Sequence, residues 1–148
     1  MKPEATHALE RLMQALLMEI APAVQPPYRQ ASVSIQAMML IAIREEFDRA
    51  AARRVEENCA LRALFADADR AVTDSALRAR LAAAAASADA SLLVPELEAG
   101  NHTLRALLIE LHAHGEALEG AEARRIEAAI WRELSASTER RKLSLAVF

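Results

Sequence analysis

The chain has 148 residues, 53% hydrophobic and 26% charged, a balance that fits one globular domain and excludes a disordered chain. Alanine, the best helix former, makes up about a quarter of it, with 3% aromatics, 3 Gly and 5 Pro, which excludes a β-sandwich or barrel. The net charge is −3, with 18 Lys+Arg against 21 Asp+Glu, so the basic excess of a nucleic-acid binder is absent.

The single domain expected over residues 1–148 is all-α, an up-and-down bundle of four to five helices with one long helix. The first helix begins near Pro3–Thr6. Leu9, Leu12, Met13, Leu16, Leu17 and Ile20 repeat mostly every three to four residues and give it an apolar stripe. Pro22, then Pro26 and Pro27, stop it and leave a linker over 22–30.

The second helix is predicted over 32–65, a stretch free of Pro and Gly. Its stripe reads Val33, Ala37, Leu40, Ile43, Phe47, Ala51, Val55, Asn58, Leu61 and Phe65. Around Ile35, Met38, Met39 and Ile41 it is apolar nearly all round, which predicts the deeper burial for its first half. The second half carries charge pairs at i,i+4 that suit a solvated face. A bundle of this size does not cover a helix of roughly 50 Å on every side. Ile35, Met38, Met39 and Ile41 are therefore the expected interface of a homodimer, with the first helix contributing.

Thr73, Asp74 and Ser75 form an N-cap cluster that opens a third helix over 76–86. A fourth helix starts at Pro95 with Glu96 and Glu98 in its first turn, and Gly120 is read as its end. A fifth spans 121–138, and the tail over 139–148 docks or frays.

One heptapeptide recurs. Asn58-Cys59-Ala60-Leu61-Arg62-Ala63-Leu64 matches Asn101-His102-Thr103-Leu104-Arg105-Ala106-Leu107 as N-x-x-L-R-A-L. Duplication of a helical hairpin and chance in an Ala-, Leu- and Arg-rich chain both explain it. Each asparagine falls on an apolar stripe, where its amide must find partners. Asn58, Arg62, Asn101 and Arg105 are accordingly the candidate ligand-binding residues, as a polar pocket for an anion or carboxylate. The cheaper reading is a buried amide pair that sets helix register, with both arginines reaching solvent. If the fourth helix restarts at Gly100, Asn101 is an N-cap instead.

No catalytic residues are assigned. G-x-S-x-G, G-x-G-x-x-G and the P-loop are absent. Cys59 reads as a small core residue and cannot form an intrachain disulfide, which fits a cytoplasmic location. Glu110, His112, His114 and Glu116 form two i,i+4 pairs on different sides of a helix, and surface histidines are preferred to a metal site. No cofactor, nucleic acid or membrane is expected, since the longest bulky apolar run, residues 37–43, falls far short of the roughly 20 needed to span a bilayer.

Glu19-Ile20-Ala21-Pro22-Ala23-Val24, followed by Ile41-Ala42-Ile43-Arg44-Glu45, resembles the start of an uncharacterised bacterial all-helical domain family. That family is often encoded near aminoglycoside-phosphotransferase-like and acyl-CoA dehydrogenase proteins. Ala37 stands where the family tends to place Asn. The resemblance implies a non-enzymatic accessory role. The functional expectation is a self-associating interaction protein; the alternative is a binder of an acyl or anionic amphipathic ligand in a cleft between helices.

Overall fold

The computed structural model describes residues 4–68 and 71–144. Among these the chain is all-α, without a strand. The order is α1 (Ala5–Ala15), a π-helical segment Leu16–Ile20, a short turn α2 (Ala21–Ala23), α3 (Pro27–Ala68), α4 (Ser75–Ala85), α5 (Val94–Glu116) and α6 (Ala121–Arg141). The chain divides into two compact units, residues 1–50 with 143–148, and residues 51–142.

In the first unit the stripe of α1 is only partly used. Leu9, Met13, Leu16 and Leu17 are half-buried, whereas Leu12 and Ile20 are exposed. The π segment accounts for Ile20: a wider turn rotates every later residue around the axis relative to an unbroken α-helix. It ends with the Ala21 N–H donating to Leu16 O, just before Pro22, which has no amide to offer. Helix α3 then starts at Pro27, five residues before its expected beginning. Proline suits a first helical turn, because its missing N–H would be unpaired there anyway.

The burial expected along α3 is reversed. Ala37 is fully buried, but Ile35, Met39, Ile43 and Phe47 are exposed, while Met38, Leu40 and Ile41 are half-buried. The helix is covered on the Ala37 side alone. Its second half carries the core instead. Leu61, Leu64, Phe65 and Ala68 pack with Val72, with Leu77 and Leu81 of α4, with Leu104, Leu107, Leu108 and Leu111 of α5, and with Ile126 and Ile130 of α6. Charged side chains did not keep this half in solvent: Arg54 pairs with Glu98, and Glu57 with Arg105 and Arg141, within the second unit.

Local signals set the shorter elements. Asp74 caps α4, its carboxylate accepting from the N–H groups of Ala76 at 2.8 Å and Leu77 at 2.9 Å. Gly120 does not close α5, which already ends at Glu116; it is the N-cap of α6 with φ +109°, a conformation that favours glycine. Gly100 lies inside α5, so Asn101 is mid-helix and not a cap. A Cβ at Gly100 would meet Asn58 Nδ2 at 3.8 Å and Asp89 Oδ1 at 3.9 Å, ordinary contact distances. Gly100→Ala should therefore stabilise the protein by about 0.5–1 kcal/mol, read as a higher denaturation midpoint. A lower midpoint would show that the space beside Asp89 is tighter than these distances.

Candidate functional site

The two repeat asparagines meet. Both are 0% exposed, and Asn101 Nδ2 donates to Asn58 Oδ1 at 2.9 Å across 43 residues of chain. That same offset carries Leu61 to Leu104, Leu64 to Leu107, Phe65 to Leu108 and Ala68 to Leu111, and all eight are buried in one core. The heptapeptide match thus extends into matching three-dimensional roles, as two equivalent helices facing each other.

Each asparagine is flanked by a guanidinium, and each guanidinium has a carboxylate. On one side Asn58 Nδ2 donates to Asp89 Oδ1 at 3.0 Å and to the Leu97 carbonyl at 3.4 Å. Arg62 Nη2 reaches the same Asp89 oxygen at 2.6 Å, and its Nε donates to Ser87 Oγ at 3.1 Å. On the other side Glu57 Oε1 lies 2.8 Å from Arg105 Nε, and Glu57 Oε2 accepts from Arg141 Nη2 at 2.8 Å. The Arg105 contact is an ion pair and not an aligned hydrogen bond, since Oε1 has no aligned donor among the described residues. Arg105 Nη2 also donates to Ser137 Oγ at 3.3 Å.

The four candidates Asn58, Arg62, Asn101 and Arg105 therefore gather in one cluster within the second unit, as the sequence suggested. The arginines do not simply reach solvent: Arg62 is largely covered, and both are charge-paired. Sequence reasoning missed their partners Asp89, Glu57 and Arg141. Glu57 is buried, leaving a carboxylate that two guanidiniums must offset. One atom stands out: Asn101 Oδ1 is buried with no hydrogen-bond partner among the described residues.

The electrostatics follow from these contacts. The hydrogen bond from Arg62 is the main cause holding Asp89 below the ordinary carboxylate range; burial opposes it and Asn58 assists. Burial pushes Glu57 up, but the Arg141 hydrogen bond, Arg105 and Asn101 together outweigh it, so the net shift is downward. Glu133 goes the other way, raised by burial against the pull of Arg140. Asp89 and Glu57 thus contribute stability that is present above the unfolded-state value and lost as pH falls through their lowered folded values. Glu133 opposes them, contributing below the unfolded value and losing that contribution as pH rises. Asp74, bonded to the Leu77 and Ala76 N–H groups, and Glu110, bonded to Arg80, are lowered too, and four lowered carboxylates against one raised predict a melting temperature that falls as pH drops below about 4. Asp89→Asn should flatten that fall. An unchanged slope in this variant would contradict the assignment.

The other candidates have local partners. His114 Nε2 accepts from the Thr73 N–H at 3.2 Å, Glu110 pairs with Arg80, and His112 Nε2 lies 3.8 Å from Glu116. Among the described residues no group of three His, Cys, Asp or Glu side chains is placed to hold a metal ion. Cys59, expected in the core, is exposed; Asn58 and Leu61 take the inward positions around it. No helix among the described residues is long and apolar enough to cross a membrane.

Beside the cluster lies a cavity of about 490 Å³, walled by Arg62, Asp89, Ser87, Leu97, Gly100 and Leu104 among others. No family model, curated protein or solved structure matches this chain significantly.

Proposed function

We propose that this chain is a non-catalytic interaction protein that works by pairing with a second copy of itself. The observation that carries this reading is the exposed apolar stripe of the first unit. Ile35, Met39, Ile43 and Phe47 are 49–64% exposed and fall on one side of α3 at every fourth residue. An apolar row of this length is costly to leave in water and marks an interaction surface. Of the four interface candidates, Ile35 and Met39 lie on it, whereas Met38 and Ile41 are half-buried beside it. The polar cluster adds no catalytic role to this reading, because its carboxylates and guanidiniums are committed to one another.

Met39→Glu is the test. Met39 is 58% exposed, so a glutamate there leaves the core intact and places a charge in the interface. The variant should keep its helical circular dichroism and run as a folded monomer where the parent runs as a dimer. A variant that stays dimeric would overturn the reading.

The 490 Å³ cavity supports a second reading, a small amphipathic ligand held between helices. Its apolar wall of Leu97, Leu104 and alanines suits an acyl chain. An anionic head would have to displace Asp89 from Arg62, so the head-group part of that reading is the weaker one. Native mass spectrometry of protein purified from cells separates the two: a retained acyl ligand favours the cavity, a bare dimer favours pairing.

A further inference from the structure

We propose that the 490 Å³ cavity of the second unit takes a small organic cation, a guanidinium or primary ammonium on a short alkyl body, with its head against Asp89 and Glu96. This rests on the second reading above, a ligand held between helices, and assigns that ligand its charge.

The two copies of the repeat treat equivalent places differently. Around Asn101 the place is filled. Glu57 lies against Arg105, and α6 runs on to Arg141, which brings a second guanidinium to Glu57 Oε2 at 2.8 Å. Around Asn58 the counterpart of Glu57 is Gly100, which has no side chain, and the cavity opens beside it. Asp89 supplies the carboxylate instead: a Cβ at Gly100 would lie 3.9 Å from Asp89 Oδ1. It takes Arg62 as Glu57 takes Arg105, and Asn58 helps hold it charged as Asn101 helps hold Glu57. Helix α4 matches α6 through Leu77 and Leu81 against Ile126 and Ile130, and each arginine bonds a serine after them, Ser87 in one half and Ser137 in the other. But α4 ends at Ala85, so no further turn brings a counterpart of Arg141 to Asp89.

The charges around the cavity show the same gap. Asp89 Oδ1 is used twice, whereas Oδ2 has no partner among the described residues. Glu96, in the first turn of α5, adds an exposed carboxylate to the wall, also unpaired among the described residues. Arg62 on this wall is already offset by Asp89, which leaves the wall net acidic. Glu57 shows that a carboxylate in this fold accepts two guanidiniums at once. Leu97, Leu104 and the alanines beside them suit an alkyl body, in a volume ordinary for a small-ligand site.

Isothermal titration calorimetry of the full chain with hexylguanidinium and with hexanoate tests the charge. The proposal expects hexylguanidinium to bind at one site per chain, at least about tenfold more tightly than hexanoate. Glu96→Gln should weaken it about threefold, and Asp89→Asn about tenfold. Thr103→Trp, at an exposed position on the cavity wall, should abolish binding without touching the core. Hexanoate bound as tightly as the cation would overturn the charge assignment and leave the cavity reading standing. Hexylguanidinium bound equally by the parent and Thr103→Trp would place it elsewhere on the acidic surface and overturn the proposal, as would an affinity unchanged in both carboxylate variants. Neither probe binding at millimolar concentration would overturn the cation and the cavity reading together.

Discussion

Asn58→Leu should destabilise the protein by about 2 kcal/mol while leaving its helix content unchanged. The leucine removes the acceptor of Asn101 Nδ2 and the donor to Asp89 Oδ1, both inside a shielded site. A stranded buried amide costs about 1–3 kcal/mol, and the apolar gain from leucine offsets only part of that. Asn101→Leu should cost less, because the Asn101 carbonyl oxygen is already without a partner among the described residues and Asn58 keeps its bond to Asp89. The double variant should cost less than the two singles added together, with a coupling of about 1–3 kcal/mol, because removing both partners strands neither. Urea denaturation of the four proteins measures this directly. Strict additivity would mean that the amide pair is not a unit. Repacking of two leucines at this seam also frees the register, so a broader, less cooperative transition is expected in the double variant.

Phe65→Ala should be the more damaging substitution, at about 3–5 kcal/mol. Phe65 is 1% exposed and sits among leucines from three other helices. Truncation loses its transfer free energy and leaves a cavity that a packed bundle closes poorly. The loss is a large share of the 5–15 kcal/mol typical of a whole domain. Phe47→Ala, on the same helix, should cost the monomer under about 0.5 kcal/mol, because Phe47 is 64% exposed. A Phe47 variant that unfolds, beside a Phe65 variant that does not, would restore the burial pattern first read from the hydrophobic run.

That reversal shows where sequence reading reached its limit. Helix identities were legible because an Asx cap and apolar periodicity act locally: Asp74 opens α4, whereas Pro27, read as part of a linker, sits in the first turn of α3. Which half of α3 is covered was not legible, because hydrophobicity says only what would gain by burial. Coverage depends on what else the chain supplies, and for the second half that is α4, α5 and α6. The candidate site divides in the same way. Asn58 and Asn101 were legible as polar residues on apolar stripes within a repeat. The ionic groups around them were not, since Asp89 lies in a break without periodicity and Arg141 is 84 residues from Glu57. One signal was available. Glu57 precedes Asn58 where Gly100 precedes Asn101, so one copy alone carries a carboxylate at that position; it pairs across with Arg105 of the other copy, and Arg62 takes Asp89 from the break instead.

The reading of function stands on one quantity, the mass of the protein in solution. Sedimentation equilibrium at micromolar concentration and low salt measures it without labels or variants. Pairing through the α3 stripe predicts a species at twice 16.1 kDa that dissociates on dilution. A single species at 16.1 kDa across the whole concentration range would contradict it.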